Sequence, residues 1–126
     1  MRDNGFVLDA SAMVDLLVGR RSFRQRLNEA TVHVPAHFDA EVLSALGRLW
    51  RAELLSSDEV AFALAALMSA PFKRHTLEDI VIGAWGRRDN LRLVDALYVE
   101  IAERIGVPLL TTDVRLASAY TGAQLL

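Results

Sequence analysis

No cysteine occurs in the sequence. That excludes a disulfide scaffold, a thiol nucleophile, an iron–sulfur cluster and the usual thiolate-bound structural zinc. A reduced, cytoplasmic setting is the expectation. Lysine is nearly missing as well: of 14 basic residues only Lys73 is not arginine. Arginine forks grip carboxylate and phosphate bidentately, although arginine-for-lysine usage also follows from genome composition. Every long apolar stretch is interrupted well short of the roughly 18 residues of a membrane span. The opening MRDNGFVLDA carries acids and no apolar h-region, so a signal peptide is not expected. A formal charge of −2 argues against indiscriminate coating of nucleic acid, yet leaves a local basic surface open.

What remains is 126 residues, 52% hydrophobic and 24% charged. That suits one domain with a substantial core. Short apolar runs are expected as strands at Phe6–Leu8, Val32–Val34, Phe72–Leu77, Leu109–Thr112 and Gln124–Leu126. Helical patterns fall between them, at about 10–18, 20–30, 37–53, 57–68, 78–87, 91–105 and 115–119. Ser56 with Glu59 makes a capping box, Pro71 stops the helix it opens, and Gly106 closes another. In the strongest helix Val94, Leu97, Ile101 and Ile105 form an apolar stripe. Strands alternating with helices imply the α/β class: a short central parallel sheet flanked by helices.

Two strand candidates are followed by an acid, Asp9 and Asp113. Ligands in open parallel sheets gather at the carboxyl ends of strands, so these acids are expected on one edge. Each is also an ordinary helix cap. Asp95 lies inside a helix, one position off its apolar stripe, and Glu41 lies just before Val42 and Leu43. Half-buried acids need partners; Arg92 for Asp95 and Arg48 for Glu41 are the local options. If the four acids converge instead, they repel one another unless protons or a hard cation neutralise them, and Mg²⁺ or Mn²⁺ suits all-oxygen donors.

The segments VLDASAMVDLL, HFDAEVLSALGRL, LRLVDALYVEIAERIGVPLLTTD and VRLASA together resemble a PIN domain, and more narrowly the VapC toxins of toxin–antitoxin modules. The resemblance runs from about Phe6 to Ala119. It implies a Mg²⁺- or Mn²⁺-dependent endoribonuclease that inhibits translation, hydrolysing RNA to 3′-hydroxyl and 5′-phosphate ends. It implies a metal held by Asp9, Asp95 and Asp113, a cluster completed by Glu41, and hydroxyl support from Ser11 and Thr112. Where some members carry a fifth acid this chain has Arg115, suited to phosphate. A homodimer and a VapB-type antitoxin, whose C-terminal segment covers the acidic site, are the implied partners.

Arg20, Arg21, Arg24 and Arg26 form the densest basic run and Arg87, Arg88 and Arg92 another; if they flank the acidic edge they are candidates for holding an RNA backbone, although solvated helix faces need no such role. His33 and His37 have the spacing of a zinc pair, but Pro35 breaks the helix such a pair needs, and His75 is expected alone at the surface. Trp50, Phe62, Met68 and Trp85 read as core or subunit-interface residues. A receiver domain is disfavoured by the single acid after the first strand, and an Asp-x-Asp phosphatase by Ser11. A protein-binding module with little nuclease activity and a nuclease acting on DNA stand as alternatives.

Overall fold

A computed structural model describes residues 4–126. Its elements are β1 (Phe6–Leu8), α1 (Ala10–Leu17), α2 (Arg24–Glu29), β2 (Val32–Pro35), α3 (Phe38–Arg51), α4 (Ser57–Ser69), β3 (Lys73–His75), α5 (Val81–Trp85), α6 (Leu93–Ile105), β4 (Leu109–Thr111), α7 (Val114–Ala119) and β5 (Ala123–Leu125). One five-stranded sheet runs β3-β2-β1-β4-β5, with every pairing parallel. β1 and β4 show no polar alternation because both are buried along their whole length. From β1 the chain builds outward to β2 and β3, then returns to the other side of β1 for β4 and β5. This reversal leaves a crevice at the carboxyl ends of β1 and β4, the usual ligand position in such sheets.

The core gathers Leu8, Val34, Phe38, Leu46, Tyr98, Val99, Leu109 and Leu110, each at most 2% exposed. α6 lies over β1, β2 and β4, α1 packs on α3, and α5 packs on α6. In α3, Phe38, Val42 and Leu46 recur every four residues and are all buried. The capping box at Ser56 and Glu59 forms as expected, and Gly106 takes φ 79° to end α6.

Several elements differ from expectation. The predicted 20–30 helix contracts to α2, because the amides of Arg20 and Arg21 both turn back to the Asp15 carbonyl. The predicted 78–87 helix divides into a 3₁₀ turn at Leu77–Asp79 and α5, broken where Ile80 departs from helical geometry at φ −122°. The buried face of α6 is broader than the predicted stripe: Ile101 is buried and Leu97 and Ile105 pack against the core as expected, but Ala96, Tyr98, Val99 and Ala102 are buried as well, while Val94 is 46% exposed. The small alanines let the helix settle close to the sheet. Trp50, Phe62, Met68 and Trp85 are not core residues; they are 48%, 79%, 61% and 56% exposed. Among the described residues no helix is long and apolar enough to cross a membrane.

Candidate active site

Asp9 follows β1 and caps α1; Asp113 follows β4 and caps α7. Because β1 and β4 are neighbours in parallel register, with Leu8 opposite Leu110, the two acids emerge side by side. Glu41 arrives from the first turn of α3 and Asp95 from the first turn of α6. All four acids line one open cavity of about 350 Å³, together with Ser11, Asp15, Ala45, Arg48, Arg92 and Tyr98.

Asp9 is the most constrained acid, only 6% exposed. Its Oδ1 accepts from Ser11 Oγ at 2.8 Å and from the Ala12 amide at 3.0 Å, and its Oδ2 accepts from Thr111 Oγ1 at 2.6 Å. Burial raises its pKa to about 6, against the lowering effect of these three donors. Thr112 Oγ1 and Ser11 Oγ are 3.0 Å apart, so Thr112 steadies Asp9 through Ser11. The direct hydroxyl is Thr111, which was not among the expected supporting residues; the pleat aims it at the adjacent strand's acid, whereas Thr112 lies past the strand end. Its signal in the sequence was its position two residues before Asp113, on the same side of an extended chain.

Glu41 does not pair with Arg48. Its Oε1 accepts from the Tyr98 hydroxyl at 2.6 Å and lies 3.1 Å from His37 Nε2, a contact poorly aligned for a hydrogen bond. Burial would raise the Glu41 pKa, but His37 and Tyr98 outweigh it and hold the carboxyl below its usual range. Arg48 turns to the Ser44 hydroxyl, one helical turn back. Tyr98 is the second residue missed from the sequence; it follows Asp95 by three and so shares its helix face. Burial, with the charge of Glu41, keeps its phenol protonated.

Asp95 does pair with Arg92, Nε to Oδ2 at 3.1 Å. The same guanidinium reaches on to Asp113, Nη2 to Oδ2 at 3.7 Å. Arg115 approaches that oxygen at 3.8 Å. Arg20 and Arg21 do not line the cavity; they lie 3.6 and 3.9 Å from the carboxylate of Asp15, which does. Arg24 is exposed on α2 and does not line the cavity. His33 and His37 form no pair. His33 Nδ1 instead lies 2.9 Å from His75 Nε2, so His75 is neither alone nor fully at the surface, since β2 and β3 set His33 and His75 two register positions apart on adjoining strands.

The donor set fits a hard divalent cation. An ionised carboxylate offers about four acceptor positions; Asp9 uses three, and the Oδ2 atoms of Asp95 and Asp113 face only guanidinium groups. Among the described residues no three acids or histidines are yet drawn within ligating distance of one point. Three acids therefore border a common space with oxygen capacity to spare, and Arg92 occupies two of them.

Residues 6–121 match the family model for the PIN domain. Ribonuclease VapC3 of Mycobacterium tuberculosis is 55% identical over 121 residues, 93% of this chain and 88% of that protein. Ribonuclease VapC12 of the same organism is 38% identical over 117 residues, 90% of this chain and 91% of that protein. Among solved structures, the protein PAE2754 of Pyrobaculum aerophilum superposes with a TM-score of 0.72 at 24% identity, covering 94% of this chain and 81% of that one, a likeness of fold. With the family model spanning residues 6–121 and these relatives matched over most of their length, the chain belongs to the PIN domain family and groups there with the VapC proteins.

Proposed function

We propose that the protein is a Mg²⁺- or Mn²⁺-dependent endoribonuclease, the toxin of a toxin–antitoxin pair, and that it inhibits translation by hydrolysing RNA in the cytoplasm. The observation that carries this reading is the convergence of Asp9, Glu41, Asp95 and Asp113 on one cavity, although they come from four elements far apart in sequence. The naming of relatives at 55% and 38% identity as ribonucleases supports it. Asp9, Asp95 and Asp113 would hold the cation, which when bound offsets charge on the phosphodiester and makes water a better nucleophile. Asp9 is oriented by Ser11, Thr111 and the Ala12 amide, so its free acceptor position points where those donors leave it. Glu41, held by Tyr98 and His37, stays ionised and adds negative potential beside the cation. Arg20 and Arg21 beside Asp15, with Arg115 beside Asp113, would meet the RNA backbone, with phosphate contacts supplying affinity rather than sequence choice.

A homodimer and an antitoxin partner belong to the same reading. Two apolar surfaces support them: one formed by Val81, Trp85, Leu93, Val94 and Leu97, the other by Leu17, Val18, Leu55 and Phe62. The test is cleavage of RNA and of single-stranded DNA by purified protein, with Mg²⁺ or with chelator. RNA cleavage that chelator stops, and that Asp9→Asn and Asp95→Asn abolish, is the expected result. Wild-type rates in those variants would overturn the assignment, and preference for DNA would redirect it.

A further inference from the structure

Arg92 has an unusual place. It is the N-cap residue of α6, yet its side chain makes no capping bond. It reaches into the cavity, where it bridges Asp95 and Asp113 at 3.1 and 3.7 Å. Its side chain is 62% exposed, while those of the two acids are 18% and 23% exposed. The carboxylates are held in place; the cation that joins them is free to leave. Its fork is matched equally well to a carboxylate pair and to a phosphate.

We propose that Arg92 is an exchangeable counter-ion that couples cation loading to RNA binding. With the cavity unloaded, the guanidinium neutralises Asp95 and Asp113 and so competes with a divalent ion for the same oxygens. Loading by the ion releases it. Tethered at the mouth of the cavity, it then meets the phosphate whose oxygens approach the loaded acids. The inference rests on the ribonuclease reading and adds to it a positioning residue with two opposed effects. Arg48 and Arg115 cannot act this way: Arg48 is engaged with Ser44, and Arg115 touches Asp113 alone.

The opposed effects make the test. Calorimetric titration of Mn²⁺ into wild type, Arg92→Ala and Arg92→Gln measures the competition without RNA. Both variants should bind Mn²⁺ more tightly, by about twofold to fivefold, the range of an exposed ion pair. At saturating Mn²⁺ the same variants should bind a short single-stranded RNA more weakly, and the salt dependence of that binding should lose about one unit of slope, one phosphate contact. Arg92→Lys should recover the slope. Since the side chain caps nothing, circular dichroism should show all variants folded. Unchanged or weaker Mn²⁺ binding in Arg92→Ala overturns the competition, and an unchanged salt slope overturns the phosphate role; either ends the proposal. If wild type itself neither binds Mn²⁺ nor cleaves RNA, the ribonuclease reading has failed and this inference falls with it.

Discussion

At the scale of single residues, the site depends on donors that orient carboxylates as much as on the carboxylates. Thr111→Val keeps shape and removes one hydrogen bond to Asp9; activity or Mn²⁺ affinity should fall about 10–100-fold, as for other partners of metal ligands. Thr112→Val, acting at one remove through Ser11, should cost less, and kinetics on both variants orders them. A second residue-scale effect lies outside the site. Burial, together with neighbouring His33 and Lys73, lowers the His75 pKa from its ordinary 6.5. The unfolded chain then takes up a proton more readily than the folded one, so stability is full above about pH 6.5 and declines as pH falls below it. Urea midpoints for wild type should drop from pH 7.5 to about pH 5.5 more than those of His75→Gln, and parallel curves would refute the linkage. The acids Asp9, Glu41, Asp95 and Asp113 were legible in the sequence because each has a local signature. Thr111 and Tyr98 were not, because their importance is decided by what crosses from another element.

At the scale of elements, two glycines separate helix propensity from close packing. Gly47 sits within α3, where an added Cβ would find only the tip of Arg51 at 3.8 Å. Gly47→Ala should stabilise by about 0.5–1 kcal/mol. At Gly83 in α5 an added Cβ would fall 2.4 Å from the Glu100 carboxyl. That carboxyl is 8% exposed and takes hydrogen bonds from Arg87 at 3.0 Å and Arg104 at 2.9 Å. Burial would raise its pKa, but the two arginines prevail and hold it low. Gly83→Ala should therefore destabilise, and thermal melts of the two variants should shift in opposite directions. Ser56→Ala, which removes the capping box of α4, should cost about 1 kcal/mol. Element type was readable from periodicity and caps. The contraction of α2 and the full breadth of the buried face of α6 were not, because both follow from tertiary partners: the carbonyl of Asp15 and the close seat of Ala96 and Ala102 on the sheet.

At the scale of the whole molecule, the sheet order explains why acids distant in sequence meet. Reversal of direction beside β1 was implied by the pattern of alternating elements but not specified by it, since the same strands admit other orders. The exposed apolar surface bears on the proposed dimer. Val81, 49% exposed, and Trp85 share a surface with Leu93, Val94 and Leu97. Light scattering should give twice the 13.9 kDa chain mass, and Val81→Glu should shift it toward the monomer while leaving the fold intact; a monomeric wild type would contradict the proposed dimer.

The hydrogen bond from Thr111 to Asp9 joins positions 102 residues apart. A ribosome must deliver β4 before that bond can form, so a growing or prematurely ended polypeptide that stops short of it carries Asp9 without the threonine that steadies it and without Asp113 beside it. A nonsense codon anywhere upstream of β4 should therefore yield a product in which the four acids never assemble.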